Sequence, residues 1–265
     1  MTDTDARSLA VVTGASSGIG RSLARQFAQH GFDLVVCAED AGIHAAAEEL
    51  RRTGAEVRAV QQDLSTAEGV TALHRIVQET GPADAVALNA GIGVGGRFDE
   101  TDLDRDLRLV DLNCRSTVHL AKLVSRDMVR RGSGRMLFTA SVAAKAPGPF
   151  HATYAASKAF VHSFAEALRV ELAESGVSVT SLMPGPTETE FFSRADMEST
   201  RLGQADKDDP DDVARDGFEA LMAGKDHVVA GSAANHVQAV GGSLAPDKVA
   251  AAMTAKMTRP GSGES

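Results

Sequence analysis

Tyr154 is the one tyrosine in a chain of 265 residues that has no tryptophan, and it stands four residues before Lys158 in the stretch TYAASK (153–158). In a helix that spacing is one turn, so a phenol and an ammonium project from the same face. A neighbouring cation favours the phenolate and lowers a pKa that starts at about 10. A phenol adjusted in this way can serve as an acid or base near neutral pH. A second chemistry-bearing pattern lies near the N-terminus, where Gly14, Gly18 and Gly20 sit in TGASSGIG (13–20). Glycines between a strand and a helix let the backbone turn tightly and let a pyrophosphate approach amide groups at the helix N-terminus. Each pattern alone has a plainer reading. One is a partly buried tyrosine above a solvated lysine, the other a glycine turn that holds no ligand.

The elements that must position these groups follow from periodicity. Short β-branched runs at 9–13, 33–38, 56–60, 84–91, 135–141, 177–185 and 227–231 predict strands. Between them run helical patterns. The first has Ile19, Leu23 and Phe27 at i, i+4 and i+8, one long pattern covers roughly 102–131, and another, over 151–175, carries Tyr154 and Lys158. Unbroken βαβ alternation predicts one α/β domain over 1–258, a single parallel sheet with helices on both faces. The charged, proline-bracketed stretch 186–210 reads as a flap, and the tail 259–265 as disordered.

Composition excludes several classes. The net charge is −9 and no Lys/Arg cluster forms a local basic stripe, which argues against a nucleic-acid binder. Cys37 and Cys114 lie far apart without metal-type spacing and read as reduced thiols of a cytoplasmic protein; no metal site is expected. No basic-then-apolar leader and no apolar run near 18 residues is present, so no membrane span is expected.

Taken together and in order, TGASSGIG (13–20), NAG (89–91), Asn113, Ser141, YAASK (154–158) and PGPTET (184–189) resemble the classical short-chain dehydrogenase/reductase family. The likeness spans nearly the whole chain, and Ser141 precedes Tyr154 by thirteen residues, as it does in the family. The resemblance implies a doubly wound, mostly parallel Rossmann-type sheet of about seven strands. A nicotinamide cofactor and an alcohol or ketone substrate would bind at the carboxyl ends of those strands. Asn113, Ser141, Tyr154 and Lys158 match the family's catalytic tetrad. Tyr154 would then exchange a proton with the substrate oxygen, and Ser141 would hydrogen-bond that oxygen. Lys158 would lower the tyrosine pKa and hold ribose hydroxyls, and Asn113 would position a water joining Lys158 to solvent.

The same resemblance assigns the cofactor to Thr13, Gly14, Ser17, Gly18, Ile19 and Gly20, to Asn89, Ala90 and Gly91, to Tyr154 and Lys158, and to Pro184, Gly185, Thr187 and Thr189. Asn89 would chiefly stabilise the central sheet, and Thr189 would meet the nicotinamide carboxamide. Thr187 and Glu188 could instead cap a helix. Asp63 matches an adenine-contacting aspartate, although DLSTAE (63–68) also permits it to be a helix N-cap. Glu39 lies nineteen residues after Gly20, where an acidic side chain would meet the adenosine ribose. With Asp40 it would repel a 2′-phosphate, which favours NAD over NADP. Family members that use NAD often carry Asp one position earlier, at Ala38 here. Glu39 and Asp40 could also simply begin the next helix.

An NADP-linked carbonyl reductase and a non-catalytic dinucleotide-binding scaffold or redox sensor are the alternatives. His151, three residues before Tyr154, reads as a pocket-lining or solvated histidine rather than a proton shuttle. The substrate pocket is expected from 92–98, 142–151 and the flap. The segment 232–258, with Val237, Val240 and Leu244, could cover the pocket, extend an interface or touch a surface. Ala159, Phe160, Ser163 and Ala167 on the Tyr154 helix allow close helix packing, so a homodimer or homotetramer is expected.

Overall fold

A computed structural model describes residues 7–232, 235, 237, 239, 241 and 246–264. Val240 and Leu244 lie outside the described residues. Seven strands, β1 Leu9–Thr13, β2 Asp33–Ala38, β3 Val57–Gln61, β4 Ala83–Leu88, β5 Gly134–Thr139, β6 Val177–Pro184 and β7 His227–Ala230, form one sheet. Their order is β3-β2-β1-β4-β5-β6-β7, and every pairing is parallel. The order reverses between β1 and β4. In such sheets the crevice beyond the carboxyl ends at that point is where ligands bind.

The side-chain alternation of β1 shows why helices cover both faces. Leu9 and Val11 join one buried cluster, with Leu73 of α3 (Ala67–Thr80), Leu120 of α5 (Thr117–Arg131) and Val161 of α6 (Ala152–Glu171). Ala10 and Val12 point the other way. They join Phe27 of α1 (Gly18–Gln29), Leu50 of α2 (Gly42–Arg51) and Phe218 of α9 (Pro210–Met222). A strand buried on both faces has no polar side to show, which is why LAVVT reads as a continuous apolar run.

The pattern over 102–131 is not one α-helix. α4 (Leu103–Val110) passes into a π-helical stretch, Asp111–Ser116, before α5. A π turn adds one residue to the register, too small a shift for periodicity to reveal, and such turns concentrate at functional sites. Asn113 stands in this stretch, and the Thr117 hydroxyl donates to its carbonyl (2.8 Å). The flap contains α7 (Phe191–Arg194) and α8 (Arg201–Gln204), and α10 (Asp247–Thr258) follows β7.

Residues 259–264 turn back onto α8, where the Arg201 backbone N–H donates to Ser262 Oγ (3.0 Å) and the Gly261 N–H to Ser199 Oγ (3.2 Å). A Gly/Ser-rich composition hides such contacts, because the backbone makes half of each. Among the described residues no helix is long and apolar enough to cross a membrane.

Candidate active site

Strand ends build the crevice. Thr13, the last residue of β1, is buried and does not face the opening. Its hydroxyl accepts from the backbone N–H groups of Asn89 (2.9 Å) and Ala90 (3.0 Å). The Asn89 amide donates to Thr13 O (3.1 Å) and accepts from Thr139 Oγ1 (3.1 Å), so one side chain ties β1, β4 and β5 together at the reversal point. This is the sheet-stabilising place expected of Asn89. Gly14 has φ +66°, and a Cβ on it would lie 2.9 Å from Ala90 Cα, so only glycine fits.

These turns open into a cavity of about 1240 Å³. Gly14, Ser17, Gly18, Ile19, Gly20, Glu39, Asp63, Asn89, Ala90, Gly91, Pro184, Gly185, Thr187 and Thr189 all line it, as do Ser141, Tyr154 and Lys158. Of the residues expected from sequence, Thr13 and Asn113 stand behind the wall. The Asn113 side chain clamps Ile92 from both sides, accepting from its N–H and donating to its C=O (both 3.0 Å), and also donates to Ser157 Oγ (2.9 Å).

A dinucleotide fits these residues. Ser17 opens α1 without a side-chain capping bond, and the first turn carries no acid, so the amides of Gly18, Ile19 and Gly20 are open to an anion. Gly91 leaves the Lys158 ammonium accessible, since a Cβ there would lie 3.3 Å from Nζ.

At the chemistry end, Lys158 is buried and donates to Thr139 O (2.8 Å), with its Nζ 5.8 Å from the centre of the Tyr154 ring. Burial pulls Lys158 down to about 8. Burial also dominates at Tyr154, pushing the phenol up to about 12 against the pull of a Ser141 hydrogen bond. The net shift is opposite to the lowering expected from sequence, because the enclosure that brings the two groups together also strips water from both. Ser141 Oγ accepts from the Ala143 N–H (3.1 Å) and lies 3.4 Å from Pro184 O, which fixes the hydroxyl beside β6.

At the other end, Glu39 and Asp63 meet a residue that sequence reasoning missed. Arg108, on α4, makes ion pairs with Glu39 and, at 3.2 Å, with Asp63. Partial burial opposes ionisation of Asp63, but hydrogen bonds from Ser65 and Arg108 hold its carboxyl below the usual range. Asp63 does not cap α3. Thr66 does, accepting from the Gly69 N–H (3.0 Å). Glu39 likewise stays outside α2, while Asp40 accepts from the Gly42 N–H at its start. Thr187 and Glu188 cap no helix either; Thr189 Oγ1 accepts from the Phe191 N–H (3.2 Å). Arg108 carried no motif signal, being one of two exposed arginines on α4.

Beyond Tyr154 the cavity is walled by Ile92, Val142, His151, parts of the flap, and also Val237, Gly241 and α10. Of the stretch 94–98, Val94 is buried and the Gly95 N–H donates to Ala195 O (2.8 Å), while Arg97 and Phe98 are exposed, and none of the five lines the cavity. His151 lines the cavity but is not solvated. It is 4% exposed, its ring centre lies 6.1 Å from that of Tyr154, and its Nδ1 has no hydrogen-bond partner. Burial lowers its pKa from 6.5 to about 4. Below pH 6.5 the unfolded chain therefore takes up a proton that the folded chain refuses, and stability falls as pH drops from 6.5 towards 4. Urea titrations of His151→Gln across this window should show an acid loss smaller than the wild type's by roughly 3 kcal/mol at most. Superimposable profiles would mean that His151 does not titrate on unfolding.

The chain is similar in sequence and fold to known proteins. The short chain dehydrogenase family model matches residues 8–199. Oxidoreductase UcpA of Salmonella typhimurium is 33% identical over 215 residues, 80% of this chain and 79% of that protein. A short-chain dehydrogenase from Sphingobium yanoikuyae, solved with NADPH, superposes with a TM-score of 0.79 at 30% identity, covering 84% of this chain and 87% of the other. One from Burkholderia phymatum, solved with NAD, gives 0.80 at 28% identity, covering 86% and 90%.

Proposed function

The chain belongs to the short-chain dehydrogenase family, and from that premise we propose that it transfers a hydride between a nicotinamide dinucleotide, NAD in preference to NADP, and a ketone or secondary alcohol. The observation that carries this reading is convergence. Ser141, Tyr154 and Lys158 line one end of the cavity whose other end is the open N-terminus of α1 and the Glu39 carboxylate. The bound nicotinamide would supply the hydride chemistry. Gly14, Gly18, Ile19 and Gly20 would receive the pyrophosphate, and Lys158 the ribose hydroxyls. Thr187 and Thr189 line the cavity after β6, and Thr189 would meet the nicotinamide carboxamide. Ser141 and Tyr154 would both hydrogen-bond the substrate oxygen. In reduction, Tyr154 Oη would deliver the proton, as suits a phenol kept protonated by burial.

Glu39 and Asp40 are the support for NAD, and Arg108 is the specific observation favouring an NADP-linked reductase as the second reading. A small-molecule alcohol or ketone is the partner this chemistry requires. The free thiols Cys37 and Cys114 suit a reducing, cytoplasmic setting. Exposed Leu103, Leu107 and Val110 on α4, with Phe160 on α6, suit a homodimer or homotetramer.

The test is turnover. A panel of ketones with NADH and with NADPH, and of secondary alcohols with the oxidised forms, should show change in reduced-nicotinamide fluorescence for at least one pair. Tight dinucleotide binding without turnover of any compound would sink the proposal and leave a binding scaffold.

A further inference from the structure

The half of the cavity beyond Tyr154 differs in character from the dinucleotide half. The Phe191 ring centre lies 5.0 Å from that of Tyr154, and Phe192 meets Phe191 edge-to-face at 5.5 Å. Phe192, Ala195 and Met197 form an apolar cluster of their own, separate from the two clusters of the sheet. The same cavity is lined by α10, which contributes Met253 and Met257 one helical turn apart. These methionines are 63% and 39% exposed. Large apolar side chains held open to solvent within a functional cavity mark a surface that a ligand covers.

Charged side chains in this half are paired or, at Lys256 of α10, exposed. Arg194 is paired with Glu190, and Arg201 donates to the Ser262 carbonyl (3.0 Å). The Thr258 hydroxyl is engaged with Pro149 O (2.7 Å). Volume points the same way. About 1240 Å³ exceeds the ~300–1,000 Å³ of one small-molecule site, which leaves room for a second ligand beside a dinucleotide.

We propose that the second ligand is an uncharged, predominantly apolar ketone or secondary alcohol. Its reacting carbon lies at Tyr154, and its long-chain or fused-ring body lies between the Phe191 ring and the methionines of α10. This rests on the hydride-transfer reading above and adds the substrate class to it. A sugar-like substrate would leave hydroxyls unpaired against Phe191, Met197 and Met253, and each such loss is expensive. Methionine, unbranched and polarizable, adapts to apolar bodies of varied outline.

The experiment uses methyl alkyl ketones from butanone to decanone, with pyruvate and fructose as charged and polyhydroxylated comparisons. It is run on the full chain in two ways, as kcat/KM with each reduced dinucleotide and as Kd by calorimetry in the presence of dinucleotide. Both affinity and kcat/KM should rise by about fourfold per added methylene over the first several carbons. Met253→Glu and Met257→Glu, both at exposed positions, should flatten that slope, raising KM for decanone about tenfold more than for butanone. A chain-length series flat in both readouts, or a preference for pyruvate or fructose, would overturn the substrate class while leaving hydride transfer intact. Binding that strengthens with chain length while no compound turns over would uphold the apolar site and overturn hydride transfer instead.

Discussion

Phenylalanine in place of Tyr154 is expected to lower kcat by about 100- to 10,000-fold, the range for losing a positioned general acid, while the Kd for NADH changes little. The substitution removes one oxygen from a ring that keeps its packing against Phe191, so folding should be spared and the loss should be chemical. Thermal unfolding measured beside the kinetics separates the two. Phenylalanine that turns over at the parental rate would remove Tyr154 from the chemistry and leave Ser141 as the donor to be examined. The direction of catalysis matters here. With the phenol pushed up to about 12 and the lysine pulled down to about 8, the cofactor-free site holds Tyr154 protonated at neutral pH. That state is ready to give a proton to a carbonyl. Taking one from an alcohol requires added positive charge near the phenol, which oxidised nicotinamide carries.

Glu39→Arg is expected to move the ratio of the Kd values for NADH and NADPH by about 10- to 100-fold towards NADPH. That is the effect of exchanging a repelled phosphate for one or two charge-assisted hydrogen bonds. The structure adds a converse that the motif alone does not supply. Arg108 neutralises Glu39 and Asp63 together, so Arg108→Ala should leave both carboxylates uncompensated and shift preference towards NADH. The ion pairs themselves are half-exposed, and each contributes little to stability, about 0.2–1 kcal/mol. Neither variant should therefore fail to fold. The readout is the fluorescence of the reduced nicotinamide, which no tryptophan in this chain obscures. If both variants keep the parental ratio, the adenosine ribose is read elsewhere. If the parental chain itself binds NADPH more tightly than NADH, the NADP-linked reading is the correct one.

Much of this molecule was written in local pattern. The alternation of LAVVT with an amphipathic run predicts a buried strand followed by a helix, and repetition of that unit leaves few arrangements besides a parallel sheet covered on both faces. Strand existence was legible because burial on both faces demands an unbroken apolar run. The spacing of Tyr154 and Lys158 needed only the pitch of a helix, and the glycine turn only the sterics of φ above zero. What the sequence could not decide depends on residues far apart in the chain. Burial reverses the expected pKa shift of Tyr154, and burial is a property of the assembled cavity. Arg108 reaches Glu39 and Asp63 across 69 and 45 positions, and no local window contains that contact. The π turn holds Asn113, whose side chain hydrogen-bonds Ile92 and Ser157, partners 21 and 44 positions away. The methionines of α10 line the same cavity as Tyr154 only because the chain returns there after β7. Local sterics and periodicity determined the elements and their reactive spacing; desolvation, charge pairing and the shape of the cavity were decided by tertiary structure, because each is a sum over neighbours that only folding brings together.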